Sequence, residues 1–156
     1  MKTLIMLSAV PAAGKTTWAQ KYKKEHDNVY IISSDDIRME VTHGRYQDHS
    51  KQKEVWEIFE RKIHEYANLG DNVTVILDAL NDVNEVRYKY LSTTPEYDRK
   101  VLVLFPTTLE RSQKYNGERI WPNKVPDQVL VELVHKYEDP SPEVLALVDE
   151  VITITW

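Results

Sequence analysis

The chain has 156 residues, 42% of them apolar and 29% charged, a size and balance that suit one compact domain with its own core. No apolar run approaches the roughly 20 residues of a bilayer-spanning helix, and the sequence holds no cysteine, which excludes disulfides, thiolate catalysis and cysteine redox chemistry. A formal net charge of −5 gives no long-range attraction for phosphate backbones, so any nucleic-acid contact has to come from a local basic patch.

Thr3-Leu4-Ile5-Met6-Leu7 is a continuous apolar run of strand length. It leads into Gly14-Lys15-Thr16 without the small-residue cleavage site of an export signal, so it reads as a first strand. A helix opened by Thr16 and Thr17 continues through Trp18 to Tyr22, and Val29-Tyr30-Ile31-Ile32 is a second buried strand ending at Ser33-Ser34-Asp35-Asp36. A charged turn and linker, Thr42 to Lys51, precedes a long amphipathic helix. Its apolar stripe is Val55, Trp56, Phe59, Ile63 and Ala67, and Gly70 supplies the stop. Val73 to Leu77 is a third strand ending at Asp78, a helix runs around Asn84 to Leu91, and Lys100 to Phe105 is a fourth strand bounded by Pro106. Leu109 to Tyr115 is helical in pattern, Asn116 to Pro126 is a polar connection rich in breakers, Val129 to Tyr137 is helical again, and Glu150 to Thr155 is a last strand.

Strands alternating with helices at these lengths predict a mostly parallel sheet covered on both faces, with ligands at the carboxyl ends of the strands. Asp35, Asp36, Asp78 and Asn81 all follow strands and fall on that edge, beside the first loop. The loop, Ala9-Val10-Pro11-Ala12-Ala13-Gly14-Lys15-Thr16, ends as a phosphate-binding loop ends: Lys15 is placed to reach β- and γ-phosphates and Thr16 to ligate Mg²⁺. Backbone N–H groups of such a loop converge on phosphate, and the following helix adds partial positive charge. The first consensus glycine is Ala9. A Cβ penalises positive φ and hinders close approach to phosphate, so alanines 9, 12 and 13 either keep ordinary backbone angles or reshape the loop.

Phosphoryl transfer also needs a group that orients the attacking hydroxyl and takes its proton. Asp35 suits that task, and Asp36 reads as the N-cap of the helix carrying Ile37-Arg38-Met39. Arg38 lies on the face of Asp35 one turn on, open to two roles: holding an acceptor phosphate, or pairing with Asp35 itself. Asp78 is open to supporting Mg²⁺ through water or to capping a helix, while Asn81 and Arg87 carry weaker signals for substrate binding. Arg119, between two helices, is placed as the arginine of a lid or as a solvated loop residue. The five histidines show no metal-ligand spacing.

These residues together resemble the kinase domain of phage-type 5′-polynucleotide kinases, within the small P-loop kinases, over nearly the whole chain. The segment Val10 to Ala19 is similar to that family's phosphate loop, and Ser34-Asp35-Asp36-Ile37-Arg38 to its acceptor motif. Asp78-Ala79-Leu80-Asn81 with Arg87 is similar to its Asp-Ala-Thr-Asn segment and downstream arginine, and Tyr115 to Arg119 with Val125-Pro126 to its lid. Two departures stand out: the first lid arginine is Tyr115, and loop glycines are alanines at 9 and 12. The resemblance implies an α/β three-layer sandwich of P-loop NTPase type, with about five strands in a mostly parallel sheet. It implies a single domain over residues 1–156 with a helical lid near 112–127. ATP and Mg²⁺ are the implied cofactors, with nucleotide held by Pro11, Ala12, Ala13, Gly14, Lys15, Thr16, Thr17 and Arg119. Lys15, Asp35 and Arg119 are the implied catalytic residues. Asp35 is the base, Arg38, Asn81 and Arg87 bind substrate, and Thr16, with Asp78 through water, holds the metal. The acceptor is a nucleic-acid 5′ end and the setting the cytoplasm of a bacterial or phage-infected cell. No membrane, disulfide partner or phosphatase activity is expected. The alternatives are a kinase for a nucleoside, nucleotide or sugar, and a nucleotide-binding module with little turnover.

Overall fold

The computed structural model describes residues 1–45, 48–120 and 124–155. Tyr46 and Gln47 of the expected linker, and Trp121, Pro122 and Asn123 of the expected lid, lie outside the described residues. Five strands, β1 (Lys2–Ser8), β2 (Val29–Ser33), β3 (Val73–Asp78), β4 (Arg99–Leu104) and β5 (Glu150–Thr153), form one sheet in the order β2-β3-β1-β4-β5. Every neighbouring pair is parallel.

The inner strands are apolar on both faces, as a doubly covered parallel sheet requires. Leu4, Met6, Val75, Leu77 and Leu102 point to one side, and Ile5, Leu7, Ile76, Val101 and Val103 to the other. On the first side α2 (Ser34–Val41), α3 (Gln52–Tyr66) and α4 (Asn84–Ser92) supply Ile37, Val55, Phe59, Ile63 and Leu91. On the second, α1 (Lys15–Glu25) brings Trp18, Ala19 and Tyr22. After α5 (Leu109–Gly117), α6 (Asp127–Lys136) adds Val134 to that second side. The three-layer α/β architecture matches the expectation from the alternating elements.

Helix α3 shows why the pattern is helical: Val55, Phe59 and Ile63 recur every fourth residue and all are buried. Its stop differs from the expected one. The helix ends at Tyr66, and the chain turns through Asn68 N–H to Glu65 O (3.1 Å) and Leu69 N–H to Tyr66 O (3.2 Å). Gly70 lies beyond that turn with its Cα against Val73, so it ends no helix. A short helix, α7 (Pro142–Leu145), went unread because two prolines bracket its start; Ser141 caps it and Pro142 occupies its first turn, where a missing N–H is harmless.

Phe59 has no exposed surface and packs against Trp56 and Tyr90 with ring centroids 5.2 and 5.5 Å away. Phe59→Ala removes that contact and leaves a cavity between α3 and α4. Equilibrium denaturation should show a loss of about 3–5 kcal/mol with an unchanged denaturant slope.

Candidate active site

Parallel pairing brings the ends of β1, β2 and β3 to one edge, since Met6 aligns with Leu77 and Ser33 with Asp78. Loop 9–14 leaves the sheet there. Ala9 N–H donates to Leu80 O at 2.8 Å, tying the loop's start to the 79–83 segment, and Trp18 N–H donates to Gly14 O at 3.0 Å, closing the first turn of α1. Gly14 has φ 92°, which only glycine adopts without penalty. No side chain caps α1 and no acidic residue lies in its first turn, so its N-terminal N–H groups are left for an anion.

The alanines separate clearly. Ala9 and Ala13 have ordinary φ and are buried, whereas Ala12 has φ 61°, in the left-handed region where a Cβ is strained. Of the three alanines, Ala12 alone carries the strain.

Asp78 organises the centre. Its buried carboxylate accepts Lys15 Nζ–H on Oδ1 at 2.9 Å and Thr16 Oγ1–H on Oδ2 at 3.0 Å. Helix α4 begins six residues later with Val83 at its N-cap, so Asp78 caps nothing. The lysine and the hydroxyl expected to meet phosphate and Mg²⁺ are thus held on one carboxylate at the mouth of the loop.

The acceptor side corrects one expectation. Ser33, not Asp36, caps α2: its Oγ accepts Asp36 N–H at 3.2 Å. Both aspartates are then free to face the cleft. Asp35 Oδ1 accepts a hydrogen bond from Arg38 at 2.8 Å, while Arg38 Nε and Nη2 both donate to Gln52 Oε1, at 3.3 and 3.0 Å. Arg38 is buried and Asp35 half exposed. Gln52 was missed in the sequence because it is the first residue of α3, 14 positions from Arg38, with no motif to mark it. Asp36 has its carboxyl pushed above the usual range by burial first, then by the negative charges of Asp78 and Asp35, with Lys62 and Lys15 opposing.

Asn81 and Arg87 behave differently from each other. Asn81 borders the cleft with φ 43°; its Nδ2 donates to Leu7 O at 2.7 Å and its buried Oδ1 has no partner. Arg87 has no exposed surface and does not border the cleft, so the expectation that it binds substrate is withdrawn. Its side chain is enclosed by backbone and side-chain acceptors of the protein itself, described below.

Across the cleft, Arg119 follows α5, its N–H bonded to Asn116 O at 3.1 Å. The Asn116 side chain closes the neck of this arm with two bonds to Val125, at 2.6 and 2.9 Å. Desolvation lowers the Arg119 guanidinium's pKa, and the charge of Asp35 opposes that shift. Tyr115, at the position of the expected first lid arginine, stands outside the cleft with Arg111 5.3 Å and Lys114 5.6 Å from its ring.

The cleft encloses about 690 Å³. Pro11, Ala12, Lys15 and Thr16 border it together with Asp35, Asp36, Arg38 and Arg119, and Asp36 lies close enough to Lys15 and Asp78 to feel their charges. Ala13, Gly14 and Thr17 belong to the loop and first helical turn without forming its wall. Among the described residues no group of three or more His, Cys, Asp or Glu is arranged to hold a metal. No helix among the described residues is long and apolar enough to cross a membrane.

This loop, carboxylate and sheet order define a nucleotide-binding domain of the P-loop kinase type. The profile of the family described as chromatin associated protein KTI12 matches residues 2–146, and the chain belongs to that family. No curated protein matches it. Among solved structures it is similar to a chain of the Pnkp1/Rnl/Hen1 RNA repair complex, with 22% identity and TM-score 0.73, covering 86% of this chain and 43% of that one. Kti12 of Chaetomium thermophilum in complex with ADP-AlF3 gives 21% identity and TM-score 0.69, covering 98% and 89%. A fungal RNA kinase gives 17% identity and TM-score 0.66, covering 99% and 75%. The chain spans less than half of the first two matched chains, 43% and 38% of their lengths.

The backbone strain and the Asp36 shift each give a measurable outcome. Ala12→Gly should gain about 0.5–1 kcal/mol, the left-handed penalty less the added freedom of the unfolded chain, and should tighten ATP binding in calorimetry. Because the folded pKa of Asp36 is raised, its protonated form adds stability only at low pH, and that contribution is lost as pH rises through the folded pKa. Asp36→Asn should therefore be more stable than the wild type at pH 7, by at most about 1 kcal/mol given solvent screening. The difference should vanish below the ordinary carboxylate value of 3.8.

Proposed function

We propose that the protein is an ATP·Mg²⁺-dependent phosphotransferase that moves the γ-phosphate to a nucleic-acid 5′-hydroxyl. The observation that carries this reading is the charged lining of the cleft. In a chain of net charge −5, its walls gather Lys15, Arg38, Lys89, Arg119 and Lys136 against Asp35, Asp36 and Asp82. Asp78 and Glu60 pair with Lys15 and Lys89, so the cleft is balanced rather than cationic overall, and its several guanidinium and ammonium groups suit two phosphate-bearing substrates that exchange for these carboxylates. The names of the structural neighbours, an RNA repair complex and an RNA kinase, support the same acceptor class.

The residues divide the work along the cleft. Backbone N–H groups of residues 12–14 and the start of α1 hold the β- and γ-phosphates, and Lys15 moves from Asp78 to phosphate as nucleotide enters. Thr16, with Asp78 through water, would hold Mg²⁺, which would supply neutralisation of phosphate charge. Asp35 takes the proton of the attacking hydroxyl through its Oδ2, because Oδ1 already accepts from Arg38. Arg38, fixed by Gln52, has N–H groups left for the phosphate next to the terminal nucleoside. Arg119 reaches the transferring phosphoryl group from the rim, where it stabilises spreading charge.

The test is transfer of label from γ-labelled ATP to 5′-hydroxyl DNA and RNA oligonucleotides, to nucleosides and sugars, or to no acceptor. Labelled oligonucleotide is expected, with Lys15→Ala and Asp35→Ala each lowering the rate by about a hundredfold or more. Label on small molecules alone would overturn the acceptor assignment, and nucleotide binding without transfer to anything would overturn the enzyme.

A further inference from the structure

Arg87 is a buried charge on which three segments of the site converge. Its guanidinium is fully buried, yet all five of its hydrogen bonds end on uncharged oxygens. Nε donates to Asn81 O at 2.8 Å and Ser8 Oγ at 3.2 Å. Nη2 donates to Ser8 Oγ at 2.9 Å and Glu138 O at 2.7 Å, and Nη1 to Asn84 Oδ1 at 2.8 Å. The Tyr137 ring lies 5.1 Å from its centre. Burying a cation without a bonded carboxylate is expensive, and here the nearby charges of Asp82 and Glu138 and the hydrogen bonds offset part of that cost. An apolar side chain would leave Ser8 Oγ, Asn81 O and Glu138 O unpaired, yet the bonds also serve a second purpose.

That purpose is legible in what they join. Ser8 is the last residue of β1, and the next residue opens the phosphate loop. Asn81 lines the cleft from the segment that also receives Ala9 N–H. Residues 137–139 follow α6, whose Val129, Leu133 and Lys136 form the far wall. The same junction is doubled around the arginine. Glu138 N–H donates to Asp82 O at 2.8 Å, Asn84 Nδ2 to Asp139 O at 2.9 Å, and Ser141 N–H to Asn84 Oδ1 at 3.0 Å. Elsewhere in the arm Asn116 bonds Val125, and Gln113 Nε2 donates to Asp127 Oδ1 at 3.1 Å, joining α5 to the start of α6. One end of the arm is thus anchored through Arg87 to the base of the phosphate loop.

We propose that Arg87 is a positioning residue that sets the spacing between phosphate loop and α6 wall, so that occupancy of the loop is transmitted to that wall of the cleft. The inference rests on the phosphotransferase reading. A planar fork with several fixed donors holds three segments in one geometry, which neither a lysine nor an apolar residue can do. A displacement of Ser8 on phosphate binding moves the guanidinium, and Glu138 O moves with it.

Backbone hydrogen exchange of the full chain, with and without AMP-PNP and Mg²⁺, tests this. In the wild type, nucleotide slows exchange at 9–17 and also at 130–139. In Arg87→Met, nucleotide affinity by calorimetry stays within about threefold while the slowing at 130–139 is lost. Asn84→Ala leaves the guanidinium in place, removes the tie to 139–141 and gives a partial loss; with Arg87→Lys it carries the test should Arg87→Met fail to fold. With a 5′-hydroxyl oligonucleotide present, the wild type should bind AMP-PNP about fivefold more tightly or better, and the variants should lose that gain. Undiminished slowing at 130–139 in the variants overturns this inference and leaves the phosphotransferase reading standing. Failure of the wild type to bind nucleotide overturns both.

Discussion

The site depends on one buried carboxylate. Asp78 ends the inner strand β3 and receives both Lys15 and Thr16, so the two side chains proposed to meet phosphate and metal are held in one orientation. A buried carboxylate without partners would be costly, and here an ammonium and a hydroxyl satisfy one oxygen each. Nucleotide binding must exchange that ammonium contact for one to phosphate. The carboxylate keeps the hydroxyl, and any metal beside it keeps the negative charge it needs. The parallel sheet makes this possible, because only its order places β1, β3 and the loop between β1 and α1 side by side.

A second layer of order surrounds this centre. Arg38 is fixed by Gln52 and Asp35 on the acceptor side, and Arg87 joins Ser8, Asn81 and Glu138 beneath it. Both arginines are buried, but they differ in function. Arg38 keeps N–H groups toward open space, whereas Arg87 is enclosed on every side. One is placed to recognise a ligand, the other to hold the recognition surfaces at fixed distance.

The sequence disclosed the frame more fully than these contacts. Apolar runs such as Val73 to Leu77 and the four-residue spacing of Val55, Phe59 and Ile63 report burial directly, so the order of strands and helices was readable from them. The positions of Lys15, Thr16 and Asp35 beyond the ends of β1 and β2 were readable because each follows an apolar run of strand length. Local competition was not readable. Ser33, Asp35 and Asp36 are all good caps, and only the backbone decides that Ser33 takes the role. Arg87 sits near a motif, but whether an arginine faces a ligand or its own backbone depends on segments 50 and more residues away. Gln52 reaches Arg38 across a similar gap between helices. Ala9, Ala12 and Ala13 are alike in sequence, and the structure assigns the strain to Ala12 by its φ alone.

The central claim is that Asp78 prepares Lys15 and Thr16 for a metal-bound nucleotide. Calorimetric titration with ATP, with and without Mg²⁺, tests it most directly in the wild type and in Asp78→Asn. The account predicts that Mg²⁺ tightens ATP binding by about tenfold or more in the wild type, and that Asp78→Asn loses most of this dependence while still binding ATP. Equal dependence on Mg²⁺ in the two proteins would contradict it.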